Sequence, residues 1–173
     1  MRAITETAAL DAETRALERP RDHTSELRLW LRMLACTNMI ETEIRRRLRE
    51  RFDVTLPRFD LMAQLDKAPE GLSLGEISRR MMVSNGNVTG LVERLTEDGL
   101  VERRASDTDR RSTFVRLTPD GRAAFRQMAD EHADWIGELF GDLSADDIEV
   151  LLDQLGQAKA SVLSHSKKGE GAR

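Results

Sequence analysis

The chain has 173 residues, a net charge of −4, a single cysteine and no tyrosine; that length suits one ordinary domain with a real core. The lone cysteine excludes an internal disulfide and agrees with a reducing cytoplasm, and no run approaches the roughly 18 uninterrupted apolar residues of a membrane span. Glu6, Asp11, Glu13 and Glu18 interrupt the N-terminus where a signal peptide needs an apolar stretch.

A charged fraction of 34% with only 4% aromatics is a balance also found in disordered chains. Here the apolar residues recur at helical spacing, which predicts a soluble helical protein. The acidic excess falls in residues 119–173, while residues 71–118 are slightly basic. Affinity for phosphate depends on where arginines sit, so the net charge neither favours nor opposes a nucleic-acid partner.

Residues 1–23 show weak periodicity and form an N-terminal arm ending near Pro20. A long helix begins at Thr24 or Ser25, either of which can cap it. Met33, Cys36, Ile40, Ile44, Leu48 and Phe52 mark its apolar face, and its last turns carry Arg45, Arg46, Arg47, Arg49 and Arg51 near the negative end of the dipole. That run reads as a solvated face, with contact to phosphate or an anionic ligand as its alternative.

Pro57 suits the first position of a second helix, with Phe59, Met62 and Leu65 inward. After a turn at Pro69-Glu70-Gly71, a short helix runs from about Ser73 to Met81 on Leu74, Ile77 and Met81. Ser84 caps the next helix, which buries Val88, Leu91, Val92 and Leu95 and ends at a left-handed Gly99. Two strand-like segments follow, 100–104 and 114–118, around the loop Ser106-Asp107-Thr108-Asp109-Arg110-Arg111-Ser112. A further helix begins at Thr118-Pro119 with Phe125, Met128, His132 and Leu139 along one side. Ser144, aided by Asp146 and Asp147, caps the last, which carries Ile148, Leu151, Leu152, Leu155 and Val162. The tail 164–173 reads as polar and disordered.

The two helices from Ser73 to Gly99 form a helix-turn-helix pattern, and burial of Val88, Leu91, Val92 and Leu95 leaves Asn85, Gly86, Asn87, Thr89 and Gly90 on the exposed N-terminal turns. Those turns enter the major groove in this motif. Asparagine bonds bidentately to adenine, and threonine offers a methyl to thymine and a hydroxyl to phosphate. Two glycines inside a helix cost about 1 kcal/mol each relative to alanine, and close approach of the backbone to DNA is a reason to bear that cost. The hairpin tip suits the minor groove, with Arg111 inserted, Asp109 orienting it and Arg110 on the groove edge. Ser84 and Arg94 complete the expected DNA-contact set.

The segment from Ser84 to Leu100, then Val101-Glu102-Arg103, Asp109-Arg110-Arg111, and Val115-Arg116-Leu117-Thr118 followed by Gly121, resembles the MarR family of bacterial regulators. The resemblance runs from about Leu27 to Leu163. It implies a mainly α fold with a small β-hairpin wing: a winged helix-turn-helix over residues 56–118, with dimerisation helices over 24–55 and 119–163. It also implies a homodimer on a pseudo-palindromic double-stranded DNA operator, released by a small-molecule effector bound between the dimer interface and the DNA-binding lobe. The family often carries an arginine or another long side chain where this chain has Gly90, which shifts base contact to Asn85, Asn87 and Thr89.

For the effector, Trp30 flanked by Arg28 and Arg32 suits an acidic ligand, and His132 on an apolar helix face is the fourth candidate. Similarity across residues 52–100 to members that control aromatic-acid catabolism points to an aromatic acid or its aryl-CoA thioester. Cys36 lies mid-helix with no tyrosine to face it, so a packed, inert thiol is expected rather than a redox switch. His23, His132 and His165 are too scattered for a metal site, and neither a metal nor another cofactor is expected. No phosphate loop or nucleophile elbow suggests an enzyme. The rival to a ligand-responsive repressor is an architectural DNA-binding protein of the same fold without an effector.

Overall fold

The computed structural model describes residues 24–105 and 113–170, which fall into two units divided after His132. The first unit begins with α1 (Thr24–Phe52) and α2 (Leu56–Asp66), then a two-residue strand β1 (Leu72–Ser73), α3 (Leu74–Met81) and α4 (Asn85–Glu97). Strands β2 (Val101–Ala105) and β3 (Thr113–Leu117) and the start of α5 (Pro119–Leu139) complete it. The second unit holds the end of α5 and all of α6 (Ala145–Glu170).

The core of the first unit follows the predicted faces. Leu48, Leu61, Met62, Leu65, Ile77, Val88, Val92 and Leu95 are fully buried, joined by Val101, Val115 and Leu117 from the sheet. Phe59 packs in tilted contact with both Phe125 and His132, with ring centroids 5.5 and 5.0 Å away. Leu74, Met81 and Leu91, expected inside, are only half-buried.

The sheet has three antiparallel strands in the order β1-β3-β2, one more than the expected hairpin. Leu72 and Ser73 pair with Val115 and Phe114. A two-residue strand has no room for the alternation by which strands are recognised. Gly71 makes the pairing possible: its φ is +99°, and a Cβ there would lie 2.9 Å from the Val115 carbonyl oxygen. On the hairpin, Val101 pairs with Leu117, Glu102 with Arg116 and Arg103 with Val115. Period-two alternation turns Val101, Val115 and Leu117 toward the helices and leaves Glu102 and Arg116 on the outer face.

Local sequence explains where the helices begin. Ser73 and Glu76 form a reciprocal capping box at α3, and Ser144 and Asp147 form one at α6. The Ser84 hydroxyl accepts from the Asn87 amide at α4. Gly99, φ +72°, ends that helix, and the Leu100 amide donates back to the Leu95 carbonyl.

The structure corrects three expectations. Helix α2 starts at Leu56, one residue before Pro57. The tail expected to be disordered from Ser164 is helical to Glu170, because polar residues can continue a helix that an apolar stripe no longer marks. Cys36 is exposed rather than packed in the single chain. It shares the N-terminal half of α1 with exposed Leu27, Leu29, Trp30, Leu34 and Met39. In the second unit, Leu151, Leu152, Leu155, Val162 and Leu163 are likewise exposed.

The basic run of α1 is neutralised largely within its own helix. Arg45 pairs with Glu41, Arg46 with Glu43 and Glu50, and Arg47 with Glu43, while Arg51 reaches Glu131 at 3.1 Å. This is a solvated face laced by ion pairs. The Arg46 and Arg47 guanidiniums lower the Glu43 carboxyl from its ordinary value of 4.5 to about 2. A carboxylate lowered on folding stabilises the fold above its unfolded value, and that contribution disappears as pH falls toward the folded one. Glu43→Gln is therefore expected to flatten the decline of stability between pH 4.5 and about 2, read as urea midpoints across that range. A decline as steep as in the parent chain would refute the assignment.

Candidate nucleic-acid interface

Helix α4 presents one buried and one open face. Val88, Val92 and Leu95 anchor it, whereas Asn85, Gly86 and Asn87 are exposed at its start and Thr89 and Gly90 lie half-exposed one turn on. The first residues of α4 bond through their main chain: the Asn85 carbonyl accepts from the Thr89 hydroxyl at 3.0 Å, and the Asn87 amide donates to Ser84. The carboxamides of Asn85 and Asn87 have no partner among the described residues, which leaves their donors and acceptors open to an incoming surface.

Glycine is not demanded at 86 or 90 by the chain itself. A Cβ at either position would meet nothing within 4 Å. The cost of two helical glycines therefore has no explanation in internal packing, and close approach of a partner to this turn supplies one.

The surroundings of α4 hold it from three sides. Arg58 at the start of α2 pairs with Asp98 at the α4 C-terminus. Arg103 of β2 approaches Glu93 at 4.0 Å. The Thr118 amide donates to the Leu100 carbonyl at 3.0 Å, and the Thr118 hydroxyl donates to the Gly99 carbonyl at 2.8 Å while accepting from the Gly121 amide at 2.9 Å. Thr118 thus ties the end of α4 to the start of α5.

Of the sequence-predicted DNA contacts, Ser84, Asn85, Asn87, Thr89 and Arg94 share α4 and its cap, and Arg94 is exposed on its third turn. Asp109, Arg110 and Arg111 lie outside the described residues. Sequence reading overlooked Arg79 and Arg80, both exposed on the last turn of α3. Their signal was their place: the first helix of a helix-turn-helix crosses the DNA backbone just before the turn.

The four effector candidates are not brought together within one chain. His132 packs on Phe59 beside the Arg51–Glu131 pair. Arg32 stands roughly 28 Å from Arg51 along α1 at 1.5 Å of rise per residue, and Arg28 and Trp30 lie farther still. Trp30 is exposed. Burial lowers the pKa of His132, which favours the neutral ring. Among the described residues, no group of three or more His, Cys, Asp or Glu side chains is placed to hold a metal ion, and no helix is long and apolar enough to cross a membrane.

Comparison with known proteins agrees with this geometry. The model of the MarR family matches residues 52–112. The chain is 32% identical over 131 residues to the transcriptional activatory protein BadR of Rhodopseudomonas palustris, covering 74% of each chain. A MarR family transcriptional regulator from Silicibacter pomeroyi has a similar structure, with TM-score 0.71 and 33% identity over 83% of this chain and 99% of that one. The Staphylococcus aureus MepR–DNA complex shares the fold, with TM-score 0.65 at 20% identity over 77% of this chain and 96% of that one.

Proposed function

The chain belongs to the MarR family of winged helix-turn-helix transcriptional regulators, and from that membership we propose that it is a homodimeric repressor that reads a pseudo-palindromic operator and is released by a small aromatic acid or its CoA thioester. The observation that carries the DNA-reading part is the open N-terminal turn of α4, with two asparagines whose carboxamides have no partner among the described residues, beside two glycines that internal packing does not require. Arg79 and Arg80 flank the turn as phosphate contacts, and Arg94 extends the contact along α4.

A second copy of the chain is the occupant that the exposed apolar faces of α1 and α6 call for, consistent with dimerisation segments at 24–55 and 119–163 around a DNA-binding domain at 56–118. Two-fold symmetry then matches half-site centres about one helical turn apart. In the dimer, Arg28 and Arg32 serve an acidic effector with Trp30 as an apolar wall, and His132 beside Phe59 is a further contact. The similarity to BadR, an activatory protein, favours a second reading in which the same dimer promotes transcription.

The wing tip, with Asp109 orienting Arg111 and Arg110 on the groove edge, supplies the minor-groove contact. Arg111→Ala is expected to weaken operator binding by about 1–3 kcal/mol, and unchanged affinity at physiological salt would remove the wing from the interface. The effector is tested by a mobility-shift assay on the chain's own upstream DNA, titrated with aromatic acids and their CoA thioesters. Release by either class supports the reading. A complex stable to both rejects that effector class.

Gly90→Ala separates reading from folding. It is expected to stabilise the fold by up to about 1 kcal/mol while weakening the DNA complex. A variant that gains stability and keeps full affinity would show that no close backbone approach occurs at this turn.

A further inference from the structure

We propose that a cleft on the outer face of the sheet binds a small organic anion, a carboxylate on an apolar body, through Arg116, Arg122 and Arg126. The cleft measures about 410 Å³ and lies between the sheet's outer face and the first two turns of α5. Arg122 and Arg126 are four residues apart and so share one face of that helix. Arg116 enters from β3, directly across the ladder from Glu102.

The three guanidiniums are incompletely matched. Glu102 accepts from Arg116 Nε at 2.5 Å, and Asp66 stands 3.5 Å from an Arg122 Nη. Arg126 has no carboxylate partner among the described residues. Glu102 is the one acidic side chain in the lining, so the cleft carries an excess of positive charge. Pro69, Pro119 and Ala123 supply apolar walls. Forked guanidiniums match a carboxylate, and the apolar walls match the body that bears it. The volume is near the lower end for small-molecule sites, which selects a compact ligand.

The position gives the ligand a route to the wing without touching the DNA-reading residues. Strand alternation places Arg116 and Glu102 on the face turned away from α4. A bound carboxylate competes with Glu102 for Arg116 and loosens the cross-strand pair at the root of the hairpin. It also spans from the wing to α5, whose start is tied to the end of α4 through Thr118.

The test is calorimetric titration of the full chain, without DNA, using benzoate, benzamide and inorganic phosphate. Benzoate is expected to bind, with the uncharged amide and the bare anion at least tenfold weaker. Arg126→Gln, which removes an exposed side chain with no carboxylate partner among the described residues, and the double variant Arg122→Gln/Arg126→Gln are expected to weaken benzoate at least tenfold with unchanged circular dichroism. Absence of benzoate binding, equal binding of benzamide or phosphate, or undiminished binding by Arg126→Gln would each overturn the proposal. With no DNA in the cell, failure here is distinct from failure of operator reading.

Discussion

Gly121→Ala is expected to destabilise the first unit by about 3 kcal/mol or more, at or beyond the usual upper range for overpacking. The new Cβ would lie 1.8 Å from the Leu100 carbonyl oxygen and 2.7 Å from its carbon. Both are backbone atoms, so no side chain can swing aside to make room. Relief requires α5 to move away from the end of α4, which breaks the bonds from Thr118 to Gly99 and Leu100. Each is worth about 1 kcal/mol net, against a total stability of about 5–15 kcal/mol for an ordinary domain. Urea unfolding measures the loss, and a change below about 1 kcal/mol would mean that the helices do not approach so closely. Because the joint also sets the carriage of α4, the folded fraction of this variant should bind DNA more weakly than the parent.

The second large effect falls on binding alone. Replacing Asn85 and Asn87 together with alanine is expected to reduce operator affinity by about 2–6 kcal/mol, the range for two bidentate base contacts at about 1–3 kcal/mol each. Stability should change little. Both side chains are exposed and without partners among the described residues, and the hydrogen bonds at the head of α4 run through main-chain atoms that alanine retains. A substantial loss of affinity at constant unfolding midpoint is the signature of base contact. Equal losses on operator and random DNA would instead mark these residues as backbone contacts.

Much of this molecule was legible because its helices obey a single rule. Ile44, Leu48, Phe59, Met62, Leu65, Ile77, Val88, Val92 and Leu95 repeat at helical spacing, and all of them are buried. The caps Ser84, Gly99 and Ser144 were equally readable, since each acts on neighbours within a few residues. What escaped depends on contacts distant in sequence. Strand β1 exists because β3, more than 40 residues later, offers it an edge. The necessity of Gly121 arises only when α5 meets Leu100. Arg116, Arg122 and Arg126 form a cluster only after β3 and α5 enclose a cleft with Pro69.

The candidate site divides in the same way. The face of α4 followed from periodicity, and the structure adds that its glycines are free of internal constraint. Arg79 and Arg80 stand on the last turn of α3, where only the placement of that helix against the turn before α4 marks them as contacts. The effector set rested on side-chain chemistry alone, and α1 is long enough to hold Arg28 and Trp30 far from His132 within one chain. Chemistry names the kinds of residue a ligand needs, whereas helix length decides which of them meet.

The most direct test of the central claim compares the parent chain with the Asn85→Ala/Asn87→Ala variant, on its own upstream DNA and on random DNA of equal length. At physiological salt the parent is expected to prefer its upstream DNA at least about 1,000-fold, the lower end for specific regulators. The variant should lose most of that preference while keeping its affinity for random DNA. A parent chain that binds both DNAs alike, or a variant that retains the full preference, would contradict the account of α4 as the sequence reader.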